Sequence, residues 1–138
     1  MSAVRTFIDT NILIYAFTRD EPEKQKLALN LLDACLPVVS TQVIREFSNV
    51  LLKRTNLGIQ AVRDTVNEII STAETVNEDT RLILASFAIY GKYKFSFYDS
   101  LIITAAIQAK CRILLSEDMQ DGQVLGGKLK IVNPFLKR

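Results

Sequence analysis

The sequence of 138 residues contains no histidine, and this absence limits the chemistry that the chain can perform. Without histidine there is no Ser-His-Asp triad, no Cys-His pair, no histidine zinc ligand and no histidine acid–base catalysis. Any catalysis must therefore use carboxylates, lysine, hydroxyl groups or a metal ion.

Cysteine and long apolar segments are also scarce. The two cysteines, Cys35 and Cys111, lie in apolar stretches, where a free thiol behaves as a small hydrophobic residue, and this fits a reducing compartment. Arg5, Asp9 and Asn11 interrupt the amino-terminal apolar stretch, which a secretory signal would keep continuous. The longest later run, LIITAAI, is too short to span a bilayer. We therefore expect a cytoplasmic protein with no membrane partner.

What the chain does contain is typical of a folded domain. Hydrophobic residues make up 49% and charged residues 23% of the sequence, which are globular averages. The length predicts one domain over residues 1–138 with a single core. A net charge of +2 permits a polyanionic partner but does not argue for one.

Short apolar runs alternate with segments of helical periodicity along the whole chain. Strands are predicted over residues 4–8, 37–40, 112–116 and 129–132, with a further short strand around 74–76. Helices are predicted over ILIYAF and residues 21–35, 41–54, 59 onward, 79–90 before Gly91, and 99–109. This alternation predicts an α/β fold, a three-layer α/β/α sandwich with a mostly parallel sheet.

Four carboxylates are placed where such a fold binds its ligand. In an open parallel sheet that site lies beyond the carboxyl ends of the strands. Asp9 closes the first strand, Asp118 follows the RILLS strand, Glu46 lies early in the helix after PVVS, and Asp99 opens the apolar LIITAAI helix. The sequence therefore predicts that acids from four distant segments converge at one edge of the sheet.

An acidic cluster of this kind is self-repulsive when empty, so carboxylates a few ångströms apart either raise one another's pKa or require a cation. Mg²⁺ and Mn²⁺ prefer oxygen ligands and are commonly held by one or two carboxylates together with substrate phosphate oxygens. A water activated by the metal can then attack phosphorus in line. The pattern thus favours metal-dependent hydrolysis of a phosphodiester.

Each acid also has a structural interpretation. Asp9 and Asp99 are good helix caps, Glu46 alone is typical of a solvated helix surface, and Asp118 of a turn. Four neighbouring polar residues are candidates for orienting a metal-bound carboxylate or a water: Thr10, Asn11, Ser100 and Ser116. Capping and turn formation explain Thr10, Asn11 and Ser116 equally well. The basic residues near the expected crevice, Arg45, Lys53 and Arg54, are candidate phosphate contacts or simply solvated charges.

The motifs around these acids resemble those of the PIN-domain nucleases. FIDTNILIYAF resembles the family's first motif, with Asp9 as the metal acid and Asn11 as its companion. Glu46 in VIREFSNVL resembles the helical glutamate, Asp99 with Ser100 in YDSLIITAA the third motif, and Asp118 in ILLSEDM the fourth. The fourth motif departs from the usual spacing of acids, so Glu117 and Asp121 remain alternatives to Asp118.

The resemblance implies a PIN-like nuclease fold, a Mg²⁺ or Mn²⁺ site and cleavage of RNA. Small single-domain members resemble VapC-type toxins of toxin–antitoxin pairs, which commonly form homodimers and are blocked by an antitoxin segment in the acidic groove. The length of this chain matches that group.

Two other functions are weighed against this hypothesis. A non-catalytic RNA- or protein-binding module would keep the fold without turnover. A Mg²⁺-dependent phosphate-handling domain would form an aspartyl-phosphate, but phosphatases of that type place a second Asp two residues after the nucleophile, where this chain has Asn11.

Overall fold

The computed structural model describes residues 3–137. The strands are β1 (Arg5–Ile8), β2 (Leu36–Ser40), β3 (Glu74–Val76), β4 (Ile113–Leu115), β5 (Val124–Leu125) and β6 (Leu129–Val132). The helices are α1 (Thr10–Phe17), α2 (Pro22–Ala34), α3 (Thr41–Arg54), α4 (Ile59–Thr72), α5 (Thr80–Tyr93) and α6 (Phe97–Gln108). The predicted alternation of strands and helices is confirmed.

The strands form one sheet in the order β3-β2-β1-β4-β6-β5. All neighbouring pairs are parallel except β5 with β6. The chain winds outward from β1 through β2 to β3 and then crosses back to β4 on the other side of β1. The winding direction therefore changes between β1 and β4, which is where open α/β sheets bind their ligands.

Helices cover both faces of this sheet. Parallel crossovers are right-handed, so the helices of the outward crossovers and those of the return crossover lie on opposite faces. Packing agrees with this, because α1 contacts α2 and α3, α3 contacts α4, and α5 packs against α6. The predicted three-layer α/β/α sandwich is confirmed.

Helix α6 is the most buried helix of the described chain. Every residue from Ser100 to Ala106 is buried, so this helix has no polar face, as its nearly uniform apolar sequence predicts. The strands β1 and β4 are also mostly buried, as expected for a parallel sheet with helices on both sides. Cys111 is buried, Cys35 is half-buried and both are free.

Three details of the predicted elements are wrong. Helix α5 continues past Gly91 and ends two residues later, because Lys94 adopts the left-handed cap with φ 61°. Helix α6 begins at Phe97, since the Ser96 side chain caps it. Strand β5 was not predicted, because a strand of two residues leaves almost no periodic signal.

Candidate active site

A cleft of about 420 Å³ opens at the carboxyl edge of the sheet, where β1 and β4 end. Four acids from four elements line its wall: Asp9, Glu46, Asp99 and Asp118. They are the four acids selected from the sequence. The fold therefore brings together side chains that lie up to 109 positions apart, at the crevice that the sheet topology creates.

Asp9 is the most buried acid of the cleft, with 7% of its surface exposed. It follows β1 directly and caps α1, so one carboxylate oxygen accepts a hydrogen bond from the Thr10 amide at 2.8 Å. The other oxygen accepts from the Ser116 hydroxyl at 2.7 Å, across the β1–β4 pair. The Asp9 side chain therefore caps α1 and lines the cleft at the same time.

Burial raises the pKa of Asp9 from its usual 3.8 to about 6. The Asp99 and Glu46 carboxylates raise this pKa further, while the hydrogen bonds from Ser116 and Thr10 lower it without offsetting burial. Near neutral pH the cleft therefore contains a buried carboxylate whose charge is poorly stabilised, an arrangement that a cation would relieve.

Asp99 is the third residue of α6, so it does not cap the helix as the sequence alone indicated. Ser96 is the cap, and its hydroxyl accepts a hydrogen bond from the Asp99 amide at 3.1 Å. The Asp99 side chain is left to face the cleft. Burial raises its pKa, and the neighbouring Asp118 and Glu46 carboxylates add to that rise.

Glu46 lies on α3 and is the acid held by neutral donors from two helices. Its carboxylate accepts a hydrogen bond from the Thr10 hydroxyl at 3.1 Å and another from the Gln42 amide at 2.9 Å. Thr10 thereby contacts two acids, Asp9 through its backbone and Glu46 through its side chain. This contact fixes the relative position of the two carboxylates.

Asp118 is the acid of the fourth motif that faces the cleft. Its carboxylate accepts a hydrogen bond from the Asn11 amide at 3.0 Å, and its own backbone amide donates to the Ser116 hydroxyl at 3.3 Å. The side-chain carbonyl of Asn11 accepts a hydrogen bond from the backbone amide of Glu117 at 3.2 Å. The Asn11 side chain therefore joins the first motif to the fourth through two hydrogen bonds, one to the Asp118 carboxylate and one from the Glu117 backbone.

The two alternative acids make contacts outside the cleft. Glu117 pairs with Lys24 at 2.6 Å and accepts from the Tyr15 hydroxyl at 2.5 Å. Burial alone would raise the pKa of Glu117, but these two partners outweigh it and hold that pKa below its usual value. Asp121 accepts a hydrogen bond from the Asn133 amide at 2.8 Å. Both acids thus have structural roles.

A family model described as PIN domain matches residues 6–120 of this sequence. The chain belongs to the PIN domain family. The family resemblance predicted from the sequence motifs is therefore confirmed. No curated protein matches the sequence.

Solved structures that share the fold of this PIN domain include toxins of toxin–antitoxin systems. A toxin–antitoxin complex from Klebsiella pneumoniae is 23% identical with a TM-score of 0.70, over 97% of this chain and 98% of that one. VapC20 from Mycobacterium tuberculosis, described as a sarcin–ricin loop cleaving toxin, is 14% identical with a TM-score of 0.64, over 79% and 86%. VapBC2 from Rickettsia felis, bound to a DNA fragment from its promoter, is 14% identical with a TM-score of 0.66, over 94% and 99%. At these identities the likeness establishes the fold.

The donor set of the PIN-domain cleft fits a hard divalent cation. Carboxylate oxygens are the ligands that Mg²⁺ and Mn²⁺ prefer, and waters commonly complete their coordination. Within residues 3–137, no three Asp, Glu or Cys side chains are already close enough to hold a metal ion. The carboxylates are held in separate positions by neutral hydrogen-bond donors. The side chains of Ser116, Thr10, Gln42 and Asn11 each donate to a carboxylate oxygen. Small side-chain movements toward a shared cation are therefore expected.

Three cleft residues were missed by sequence reasoning: Gln42, Asn49 and Tyr98. Gln42 lies one helical turn before Glu46, and this spacing was the available signal. Its side-chain carbonyl oxygen is buried without a hydrogen-bond donor, so an ordered water or a cation in the cleft would satisfy it. Tyr98 precedes Asp99 and is 66% exposed.

Other polar residues singled out from the sequence lie outside the cleft. The Ser100 hydroxyl is fully buried and donates to the Ser96 carbonyl at 2.8 Å, so it stabilises the start of α6. Arg45 pairs with Glu78 at 3.7 Å. Lys53 and Arg54 lie in the last turn of α3, beyond the cleft wall. None of these contacts an acid of the cleft.

Proposed function

We propose that this PIN domain is a Mg²⁺- or Mn²⁺-dependent endoribonuclease. The observation that carries the proposal is the convergence of Asp9, Glu46, Asp99 and Asp118 in one cleft at the point where the sheet changes winding direction. The raised pKa values of buried Asp9 and half-buried Asp99 support it, because carboxylates with perturbed pKa values in a cleft are typical of functional sites.

In this proposal Asp9, Asp99 and Asp118 would hold the cation directly or through water, and Glu46 would complete the set. When bound, Mg²⁺ or Mn²⁺ would supply positive charge next to the phosphate and lower the pKa of a water. Attack of water on phosphorus would break its bond to the 3′ oxygen and leave a 5′-phosphate and a 3′-hydroxyl. Ser116 and Thr10 orient the Asp9 carboxylate. Asn11 keeps Asp118 at the mouth of the cleft by linking it to α1.

The cleft also has a feature that suits a nucleic acid. Tyr98 is an exposed aromatic residue beside Asp99, and aromatic side chains stack the bases of single-stranded nucleic acids. A base on Tyr98 would bring its adjoining phosphate to the acids. The substrate proposed is therefore RNA with an unpaired, accessible segment.

The biological role that we propose is that of the toxin in a toxin–antitoxin pair. The support is the family, the chain length and the likeness of fold to toxin–antitoxin complexes that covers nearly the whole chain. A cognate antitoxin would block the acidic cleft, and the toxin would act as a homodimer. Exposed apolar side chains on α5, Leu84 and Phe87, offer a surface for the second copy.

In the described residues no helix has the length and apolar character needed to cross a membrane.

The test is cleavage of total cellular RNA by the purified protein, with Mn²⁺ or Mg²⁺ and with excess chelator. We expect discrete fragments with 5′-phosphate ends that disappear with the chelator, while single-stranded DNA stays intact. RNA binding without metal-stimulated cleavage would instead identify a binding module. Labelling of Asp9 by a phosphodonor would indicate a phosphate-handling domain.

A second test separates the acids of the fourth motif. We expect Asp118→Asn to lower kcat about 10- to 100-fold, because it weakens the metal site. Glu117→Gln is expected to keep kcat within about twofold but to lower the free energy of unfolding by about 1 kcal/mol, since it removes the partly buried pair with Lys24. Cleavage rates and urea melts of the two variants check this. A large loss of kcat in Glu117→Gln alone would reverse the assignment.

A further inference from the structure

The acidic cleft has carboxylates for a cation but no positive side chain for the substrate. Within the described chain, neither lysine nor arginine lines it. RNA carries one negative charge per phosphate, and proteins that bind it neutralise several of these charges. Any lysine or arginine side chains that bind the phosphates flanking the cleaved bond must therefore lie outside this cleft.

A second cleft, of about 770 Å³, lies one helical turn further along the two helices that form one wall of the acidic cleft. The acidic cleft extends to Ile14 on α1 and Val50 on α3. The second cleft begins at Phe17 on α1 and Arg54 on α3. Because α1 and α3 pack side by side, the two clefts follow one another along the same pair of helices.

Two arginines line this second cleft, Arg19 after α1 and Arg54 at the end of α3. Both are exposed, and in the part of the chain that the structure describes no carboxylate lies within ion-pair distance of either guanidinium. Asp20 also lines the cleft, but it pairs with neither arginine. Their charges are therefore available to a ligand. Arg54 also complements the carboxyl end of α3, an effect that contributes to stability and not to RNA binding.

The spacing of the two clefts matches a short stretch of RNA. Arg54 follows Glu46 by eight positions on α3, which is a rise of about 12 Å at 1.5 Å per residue. A stacked strand advances about 3.4 Å per nucleotide, so this distance corresponds to about three to four nucleotides.

We infer that Arg19 and Arg54 form a phosphate subsite, about three to four nucleotides from the cleaved bond, for an RNA strand lying along α1 and α3. The inference rests on the proposed function, because it takes RNA as the ligand. Arginine suits this role, since its planar guanidinium binds phosphate oxygens in a bidentate manner. The subsite affects binding and leaves the chemistry to the four acids.

The experiment compares the wild-type protein with the double variant Arg19→Ala, Arg54→Ala on single-stranded RNAs of two lengths. On an RNA of about 12 nucleotides we expect KM to rise about tenfold with kcat within about twofold. The slope of log(kcat/KM) against log[salt] should become shallower by about 1.4, that is about 0.7 for each lost phosphate contact. On an RNA of about two nucleotides, which places only one nucleotide on either side of the cleaved bond and is too short to reach the arginines, kcat/KM should be unchanged.

Two controls separate a subsite from a general loss of charge or stability. Arg63→Ala with Arg112→Ala removes the same charge from α4 and from the opposite edge of the sheet, and should leave KM unchanged. Arg19→Lys with Arg54→Lys keeps the charge and should retain most of the salt dependence. Thermal melts verify that each variant is folded.

Equal losses on both RNA lengths, or an unchanged KM on the long RNA, would overturn the inference while leaving the ribonuclease proposal intact. If the wild-type protein cleaves no RNA, the proposed function fails separately. Binding of a labelled RNA of about 12 nucleotides in Mn²⁺, read by fluorescence anisotropy, then decides the inference. In that case a double variant with the wild-type Kd would overturn it.

Discussion

Asp9→Asn is expected to lower metal-dependent RNA cleavage by about 10³-fold or more, and Asp99→Asn by a similar factor. Each substitution removes a negative oxygen from the cation site, and a metal site contributes several kcal/mol of transition-state stabilisation. Asp9 is the stronger case, because its two oxygens are already held at the cleft by Thr10 and Ser116. Single-turnover cleavage rates in Mn²⁺ measure the effect.

The same Asp9→Asn protein is expected to be at least as stable as the wild type when no metal is present. The folded pKa of Asp9, about 6, lies above the usual 3.8, so its protonated form is favoured by folding. That contribution is fully present below about pH 4 and is lost as pH rises through 6, a difference of about 3 kcal/mol. Asparagine carries no charge at either pH. Metal-free melts should therefore show an advantage for Asp9→Asn at neutral pH that shrinks toward pH 4.

Loss of cleavage in a folded Asp9→Asn protein distinguishes a functional carboxylate from a helix cap. If Asp9 served only as the cap of α1, asparagine would cap equally well and metal-dependent cleavage would not change. Asp64→Asn is the matched control, since Asp64 is exposed on α4 and distant in sequence from the four acids. Full activity in Asp9→Asn and Asp99→Asn together would contradict the ribonuclease assignment.

The fold was predictable because its signals are local and mutually consistent. Apolar strands such as RTFI and ILL are flanked by polar residues, and the helices between them show periodic apolar faces. The positions of Asp9 and Asp118 followed from this pattern, since both come after neighbouring strands of a parallel sheet. Their placement in one cleft required only the topology rule.

Features that depend on contacts across the fold could not be predicted. Glu117, Asp118 and Asp121 lie within five residues, and the sequence could not rank them with certainty. Contacts with residues elsewhere in the sequence distinguish them, because Glu117 pairs with Lys24 and Asp121 accepts a hydrogen bond from Asn133. Arg19 gave no signal, because its position beside Arg54 depends on the packing of α1 against α3.

The largest loss of stability is expected from Phe47→Ala. Phe47 lies on α3 next to Glu46, is fully buried and contacts the Phe17 ring edge-on at 5.8 Å, so it joins α3 to α1. Truncating a buried phenylalanine costs about 3–5 kcal/mol, which corresponds to a drop in Tm of roughly 10 °C or more at this size. Urea and thermal melts measure it. Leu52→Ala is the control, because Leu52 lies on the same helix and is 52% exposed.

Helix α3 shows why this core substitution should also affect the cleft. Its residues Val43, Phe47 and Leu51 are spaced by four and face the core, whereas Gln42 and Glu46, also four apart, line the acidic cleft. If the contact between Phe47 and Phe17 is lost, α3 can shift against α1, and its core-facing and cleft-facing side chains then move together. We therefore expect Phe47→Ala to lower kcat even at temperatures where the variant is folded, while Leu52→Ala keeps it. Unchanged kcat in folded Phe47→Ala would show that the acids are positioned independently of the packing of α1 against α3.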